Sequence, residues 1–340
     1  MPRRLPTAVA AVLLAIPLTA ASGTALTASA PRWQVVKRFG TAVTPGQNPA
    51  VAVLGPRDVW VTDGRIRHWD GSRWRTVRPE TAGRERFVSV FGTGGRVWFV
   101  TSPDPTFQNV RLLGFDGRRW SWAPEPRREG LAQNVGAPAA LPGGDVWWPD
   151  NPAMLSVRRL RAGVWKTFQP PLYTYTVGGR RSGDLWAVGE VFGQKKPHPF
   201  VPAVAHWNGK RWRPTRLPKN IEGTLRSVTV VSTRDVWAVG TSSGGRSARS
   251  LVLHRNDRTW KRISAPRLAD PVLRTVVPDG HGGIWTASTT HLAHYSSGRW
   301  TTAPTPPDTD TITLARTPGS TTLWALATSG GRSVLLRHRG

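Results

Sequence analysis

The sequence predicts an all-β protein, a seven-bladed β-propeller of four-stranded blades. Three observations predict it: a Trp-centred phrase that recurs seven times, the spacing of those copies, and a displaced strand near the amino terminus. The phrase is a turn ending in Gly or Asp, then an apolar residue, then Trp. Clear copies are Asp58-Val59-Trp60, Asp145-Val146-Trp147, Asp184-Leu185-Trp186 and Asp235-Val236-Trp237, and looser ones centre on Trp98, Trp285 and Trp324. A second phrase, a tight turn leading into another Trp, follows each of the first six. Its best forms are Asp70-Gly71-Ser72-Arg73-Trp74 and Asn208-Gly209-Lys210-Arg211-Trp212, and the others end at Trp120, Trp165, Trp260 and Trp300.

The first-phrase tryptophans lie 38 to 51 residues apart. From each second Trp to the next first Trp the gap is 21 to 27 residues, whereas inside a unit it varies from 14 to 26. One connection per unit therefore absorbs the insertions, as expected for stacked small sheets with one variable loop each. Unit five shows the four strands best: Arg226 to Val231, Asp235 to Gly240, Ser250 to His254 and Trp260 to Ile263. These are β-branched and aromatic runs bounded by Gly, Asp, Asn and Pro. Asp-Gly and Asn-Gly between two such runs predict primed hairpin turns, with positive φ at both central residues. The nearly continuous apolar run Val-Trp-Ala-Val fits a strand covered on both faces by neighbouring blades.

The seventh unit has Trp324 and a third strand near Ser333 to Arg337, but no outer strand follows before Gly340. Arg32 to Val36, with Trp33, resembles the outer strands that begin at Trp74 and Trp260. Trp33 also lies 27 residues before Trp60, inside the second-to-first spacing. That strand is expected to complete the last blade and close the ring, which removes free sheet edges. The fourteen repeat tryptophans (Trp33, Trp60, Trp74, Trp98, Trp120, Trp147, Trp165, Trp186, Trp212, Trp237, Trp260, Trp285, Trp300 and Trp324) are read as packing between blades that diverge outward.

Residues 1–30 are expected to be a signal peptide, and 31–340 a single propeller domain. Arg3 and Arg4 precede an 11-residue apolar stretch from Ala8 to Leu18, too short to span a bilayer. Cleavage after Ala25 or after Ala30 fits the small residues there, and export through the general or the twin-arginine route stays open. No later stretch is long and apolar enough to span, so a secreted protein without a transmembrane segment is expected. With no cysteine there is no disulfide framework and no thiolate metal site. No cofactor is implied and no oligomer signal is visible, so a monomer is expected.

The net charge is +27, nearly all of it arginine. Either the partner is anionic, such as a cell-wall polymer or acidic glycan, or the charge is compositional. No basic-aromatic stacking stretch singles out nucleic acid, which is disfavoured as a partner. The longest loops between second and third strands fall in units two to five, on the side of the unit-to-unit connections. The tentative ligand-binding residues on them are Asp104, Phe107, Asp150, Glu190, Lys195, Lys196, His198, Arg246 and Arg249. An extracellular protein is the other partner class these loops suit.

The phrases resemble those of secreted bacterial propellers: kelch and galactose-oxidase-type domains, the Asp-box repeats of sialidase-like propellers, and two-component sensor ectodomains. The stretch from Asp279 to Trp285, with His294, Tyr295 and Trp300, is most similar to the sensor repeats and to streptogramin-lyase propellers. The resemblance spans about 31–340 and implies a fold, not a function. Galactose-oxidase chemistry would need a cysteine-linked tyrosine, which this chain cannot make. Glutamates number six, and the aspartates at 58, 70, 116, 145, 184, 235 and 257 are read as turn residues, so carboxylate pairs for acid–base work are scarce. His291 and His294 sit on an expected strand with their rings on opposite faces, which is no metal motif. A non-catalytic binding protein is therefore expected. The alternative is a lyase or hydrolase at the channel mouth, resting on Glu190 and His198.

Overall fold

Each predicted unit closes on itself as a four-stranded antiparallel meander, because short connections join strands that are neighbours in sequence. The computed structural model describes residues 33–43, 49–104, 109–124, 137–149, 155–192, 200–243, 247–265 and 267–340. Six sheets run in simple sequence order, innermost strand to outermost, over residues 50–77, 86–122, 139–168, 173–214, 224–263 and 275–303. The seventh holds Thr309–Arg316, Leu323–Ser329 and Arg332–His338, and its fourth, outermost strand is Gln34–Ala42. The displaced strand does close the ring, in antiparallel register with Gln34 opposite Arg337. Each innermost strand touches the innermost strand of the next blade, all the way round.

The second strands form the buried heart of each blade. Leu185, Trp186, Ala187 and Val188 lie within a fully covered run, as do Val236 to Val239. The apolar clusters bridge adjacent blades. Trp186 of blade four packs with Val228, Leu253 and Trp260 of blade five, and Trp33 packs with Trp285 of blade six. All seven first-phrase tryptophans are buried. Trp33 and Trp260 are buried too, while Trp74, Trp120, Trp165, Trp212 and Trp300 on other outer strands are half-buried. The seam between blades opens toward solvent at the outer strand, where five of these seven tryptophans keep part of their surface in water.

The turn chemistry departs from expectation. Trp69 pairs with Trp74, so four residues, not two, make the Asp-Gly turn, and of these only Gly71 has positive φ. Asp70 works through its side chain, accepting the backbone N–H groups of Ser72 and Arg73. Asp116 and Asn208 do the same for the residues two and three positions on. Both central residues have positive φ at Ala162-Gly163 and at Ser297-Gly298.

The aspartates before the Trp also do more than turn the chain. Asp58, Asp184, Asp235 and Asp279 each bond to Nε2 of a third-strand histidine: His68 at 2.9 Å, His206 at 2.7 Å, His254 at 2.9 Å and His294 at 2.9 Å. Each histidine stacks on the Trp of its own blade, at ring-centroid distances of 3.7 to 4.5 Å. Cross-strand register explains the recurrence, because Trp60, Trp186, Trp237 and Trp285 stand directly opposite those histidines. In blades three and seven an arginine takes the place: Arg159 lies over Trp147 and Arg337 over Trp324.

Burial pushes the Asp279 carboxyl up, but His294 and the amides of His281 and Gly283 outweigh it and hold the group below the usual carboxylate range. A carboxyl lowered on folding stabilises above its unfolded value of about 3.9, and that contribution is lost as pH falls toward the folded value. Asp279→Asn is therefore expected to lower stability by about 1.5–3 kcal/mol at neutral pH. Denaturant midpoints taken from pH 7 down to acid should converge for wild type and variant below about pH 4. A pH-independent gap would mean the loss is packing, not charge.

Candidate ligand-binding face

An antiparallel meander puts its connections at two ends. The loops between second and third strands and the links between blades share one end. The short turns between first and second and between third and fourth strands share the other.

On the loop-rich end, Phe107, Asp150, Lys195, Lys196, His198 and Arg246 lie outside the described residues. Asp104 is half-buried and turned inward: its carboxylate accepts the Asn109 N–H at 3.2 Å, and Ser102 Oγ lies close to it. Glu190 is buried at 5% exposure, so it does not face solvent. One oxygen accepts the Tyr175 hydroxyl at 3.0 Å, and the other accepts Thr224 Oγ1 from the innermost strand of blade five. Arg226 sits over the Tyr175 ring at 4.4 Å. Burial, then the Glu190 charge, pushes the Tyr175 hydroxyl up. Glu190 thus joins blades four and five at the channel mouth, with both oxygens engaged.

Arg249 is exposed, at the start of the third strand of blade five. It borders a cavity of about 660 Å³ that sequence reading did not assemble. Ser247 and Ser250 come from the same strand's approach, Arg262 and Ser264 from the end of the outer strand, and Arg267, Leu268 and Pro271 from the link to blade six. Among the described residues three guanidinium groups and three serines line it without a carboxylate. Asp270, beside it in sequence, is turned to blade six, where it accepts the Thr289 N–H at 2.8 Å and the Thr289 hydroxyl. No sequence signal marks this cavity, because its arginines are separated along the chain by an entire outer hairpin.

The short-turn end is basic over most of the ring. Exposed cations there include Arg57, Arg118, Arg181, Arg211, Arg258 and Arg299, from five different blades. Most acids at this end are consumed internally: four by the histidines, Asp70 and Asp116 by their own turn amides, and Asp145 beside Arg161 at 3.7 Å. The two Arg amides of its turn hold the Asp116 carboxyl below its ordinary value, and the Ser72 hydroxyl, with the turn amides, does so for Asp70. On the loop-rich end acids and bases mix among the described residues, as in the Glu85–Arg111 pair. The sequence placed the basic character on the loops. The fold distributes it over both ends.

Among the described residues no cluster of His, Asp and Glu could hold a metal ion, and no helix is long and apolar enough to cross a membrane.

No family model matches the chain, and no curated relative matches it. Solved structures do match in fold. A catalytically inactive virginiamycin B lyase from Staphylococcus aureus with quinupristin superposes at TM-score 0.64 and 11% identity, over 90% of this chain and 99% of that one. YCF48 bound to D1 peptide matches at TM-score 0.58 and 15% identity, over 91% of this chain and 97% of that one. The WD40 propeller domain of Doa1 matches at TM-score 0.62 and 11% identity, over 90% and 98%. At such identities the likeness is one of fold, and it spans binding proteins and lyases alike.

Proposed function

We propose that this is a secreted, non-catalytic β-propeller that binds an anionic extracellular ligand, of the cell-wall polymer or acidic glycan class, at its loop-rich end. The observation that carries this reading is the cavity at Arg249, Arg262 and Arg267, which among its described residues offers several donors and no competing carboxylate. Guanidinium groups suit planar anions because they donate two parallel hydrogen bonds to a carboxylate or phosphate. The burial of Glu190 supports the binding reading over a lyase or hydrolase, since the carboxylate is turned to Tyr175 and Thr224 and away from solvent where a substrate would approach. The leader-like residues 1–30 support export.

The test is binding of residues 31–340 to isolated cell-wall material at about 50 and about 300 mM salt, before and after removal of its anionic polymers. Binding is expected to fall with salt and to vanish with the polymers. The combined variant Arg249→Gln, Arg262→Gln and Arg267→Gln is expected to bind at least about tenfold more weakly and with a flatter salt dependence. Unchanged binding by that variant would move the site elsewhere. Binding that survives polymer removal would point to a neutral glycan or a protein.

A further inference from the structure

A second cavity, of about 450 Å³, lies on the outer seam between blades four and five. That volume is in the range of small-molecule sites. Blade four supplies Trp186 and His206, and its link to blade five supplies Thr215, Arg216, Leu217, Pro218 and Lys219. Blade five supplies Arg255, Arg258, Thr259 and Trp260 from its last hairpin. Among the described residues the lining contains four permanent cations, one histidine and no carboxylate. Two acids lie nearby and both attract Arg255: Asp184 also holds His206 Nε2 at 2.7 Å, and the exposed Asp257 also meets Arg234 at 3.4 Å.

The cations are held in place. Arg255 lies over the Trp186 ring at 5.0 Å and donates to the Thr233 carbonyl at 2.9 Å, so its guanidinium is fixed before any ligand arrives. Removal from water lowers its pKa, more than Asp257 and Asp184 raise it. His206 stacks on Trp186 at 4.5 Å, and Trp186 and Trp260 meet edge to face at 5.6 Å. Leu217 and Pro218 add aliphatic surface to the lining.

We propose that this seam is an anion site of its own, which takes a sugar-sized body carrying a carboxylate or a phosphate: the charged group meets Arg216, Arg255 and Arg258, and the ring lies against Leu217 and Pro218. The ligand class follows from the lining, which joins four cations to the aliphatic surface of Leu217 and Pro218, a surface suited to the apolar face of a pyranose. The site shares no residue with the cavity at Arg249 and does not depend on it.

The experiment is calorimetric titration of residues 31–340 with glucuronate, glucose 6-phosphate, inorganic phosphate and glucose, at low salt. Glucuronate or glucose 6-phosphate is expected to bind, glucose is not, and inorganic phosphate is expected to bind more weakly than glucose 6-phosphate. The Arg216→Gln, Arg255→Gln double variant is expected to weaken binding at least about tenfold. Arg249→Gln, in the other cavity, is expected to leave it unchanged. Because Arg255 packs on Trp186, a second pair, Arg216→Gln with Arg258→Gln, removes charge only from exposed side chains and keeps the test valid if the first variant does not fold. Undiminished binding by that pair, equal binding of glucose, or no binding of any anion would each overturn the proposal. Equal binding of inorganic phosphate and glucose 6-phosphate would overturn the assignment of a sugar-bearing ligand. Loss of cell-wall binding in the Arg249 variants with this titration intact would separate the two sites.

Discussion

Replacing Trp237 with alanine is expected to lower the stability of the ring by about 3–5 kcal/mol. The side chain is 1% exposed and sits where two blades meet. His254 stacks on one face at 3.7 Å, nearly parallel, and Tyr295 of blade six lies at 5.6 Å. Val239, Val252, Leu273, Val276 and Ile284 complete the cluster. Truncation removes the transfer free energy of the indole and leaves a cavity that two β-sheets cannot close without moving apart. It also strips His254 of the surface that orients it toward Asp235. Trp300, an outer-strand Trp, gives the comparison. It is half-buried and donates to the Ser264 carbonyl at 2.6 Å, so its loss exposes less apolar surface. Trp300→Ala is expected to cost clearly less. Equilibrium denaturation of both variants checks this, and equal losses would remove the distinction between second-strand and outer-strand tryptophans.

Gly240→Ala is expected to cost about 3 kcal/mol or more, at the upper end of overpacking effects, although it adds one methyl group. A Cβ at Gly240 would lie 2.0 Å from the Thr224 carbonyl oxygen and 2.8 Å from Leu225 Cα. Both are backbone atoms of the innermost strand, at the point where its register slips between Leu225 and Ser227. Such a bulge brings the two strands closer than a side chain allows. Gly189 repeats the arrangement in blade four, with the Tyr173 oxygen at 1.8 Å and a slip between Thr174 and Thr176. Gly94 is the control, at φ +62° with nothing within 4 Å of the added atom. Alanine there should cost only the left-handed backbone penalty of about 1–2 kcal/mol. Thermal or denaturant unfolding of the two variants decides the point, and a Gly240→Ala protein no less stable than Gly94→Ala would show that the strands separate freely.

Trp237 stands in the recurring phrase, and Gly240 follows it at the offset at which Gly189 follows Trp186, so the sequence marks both. The candidate sites were far less legible. Arg249 could be placed on a loop-side strand end from its position between the second and third strands. Its companions Arg262 and Arg267 could not be joined to it, because nothing in the chain says that an outer strand's end and the next link fold over the same shoulder. Glu190 looked like a rim carboxylate from its place at a strand end. Its partner Thr224 belongs to the next blade, and only packing across the seam takes Glu190 out of solvent.

The sequence by itself determined the number of blades, four strands in each, and the closing of the last blade by a strand read at Arg32 to Val36, which runs Gln34–Ala42 in the fold. These follow from periodicity and from local pattern, which act between residues near one another along the chain. Only the tertiary structure decided that the aspartates hold stacked histidines, that basic charge also covers most of the short-turn end, and that two arginine-lined cavities open at blade five. Those features depend on side chains from different strands and neighbouring blades converging at one seam. Their geometry is set by register and by the angle between blades, neither of which is written in any single stretch.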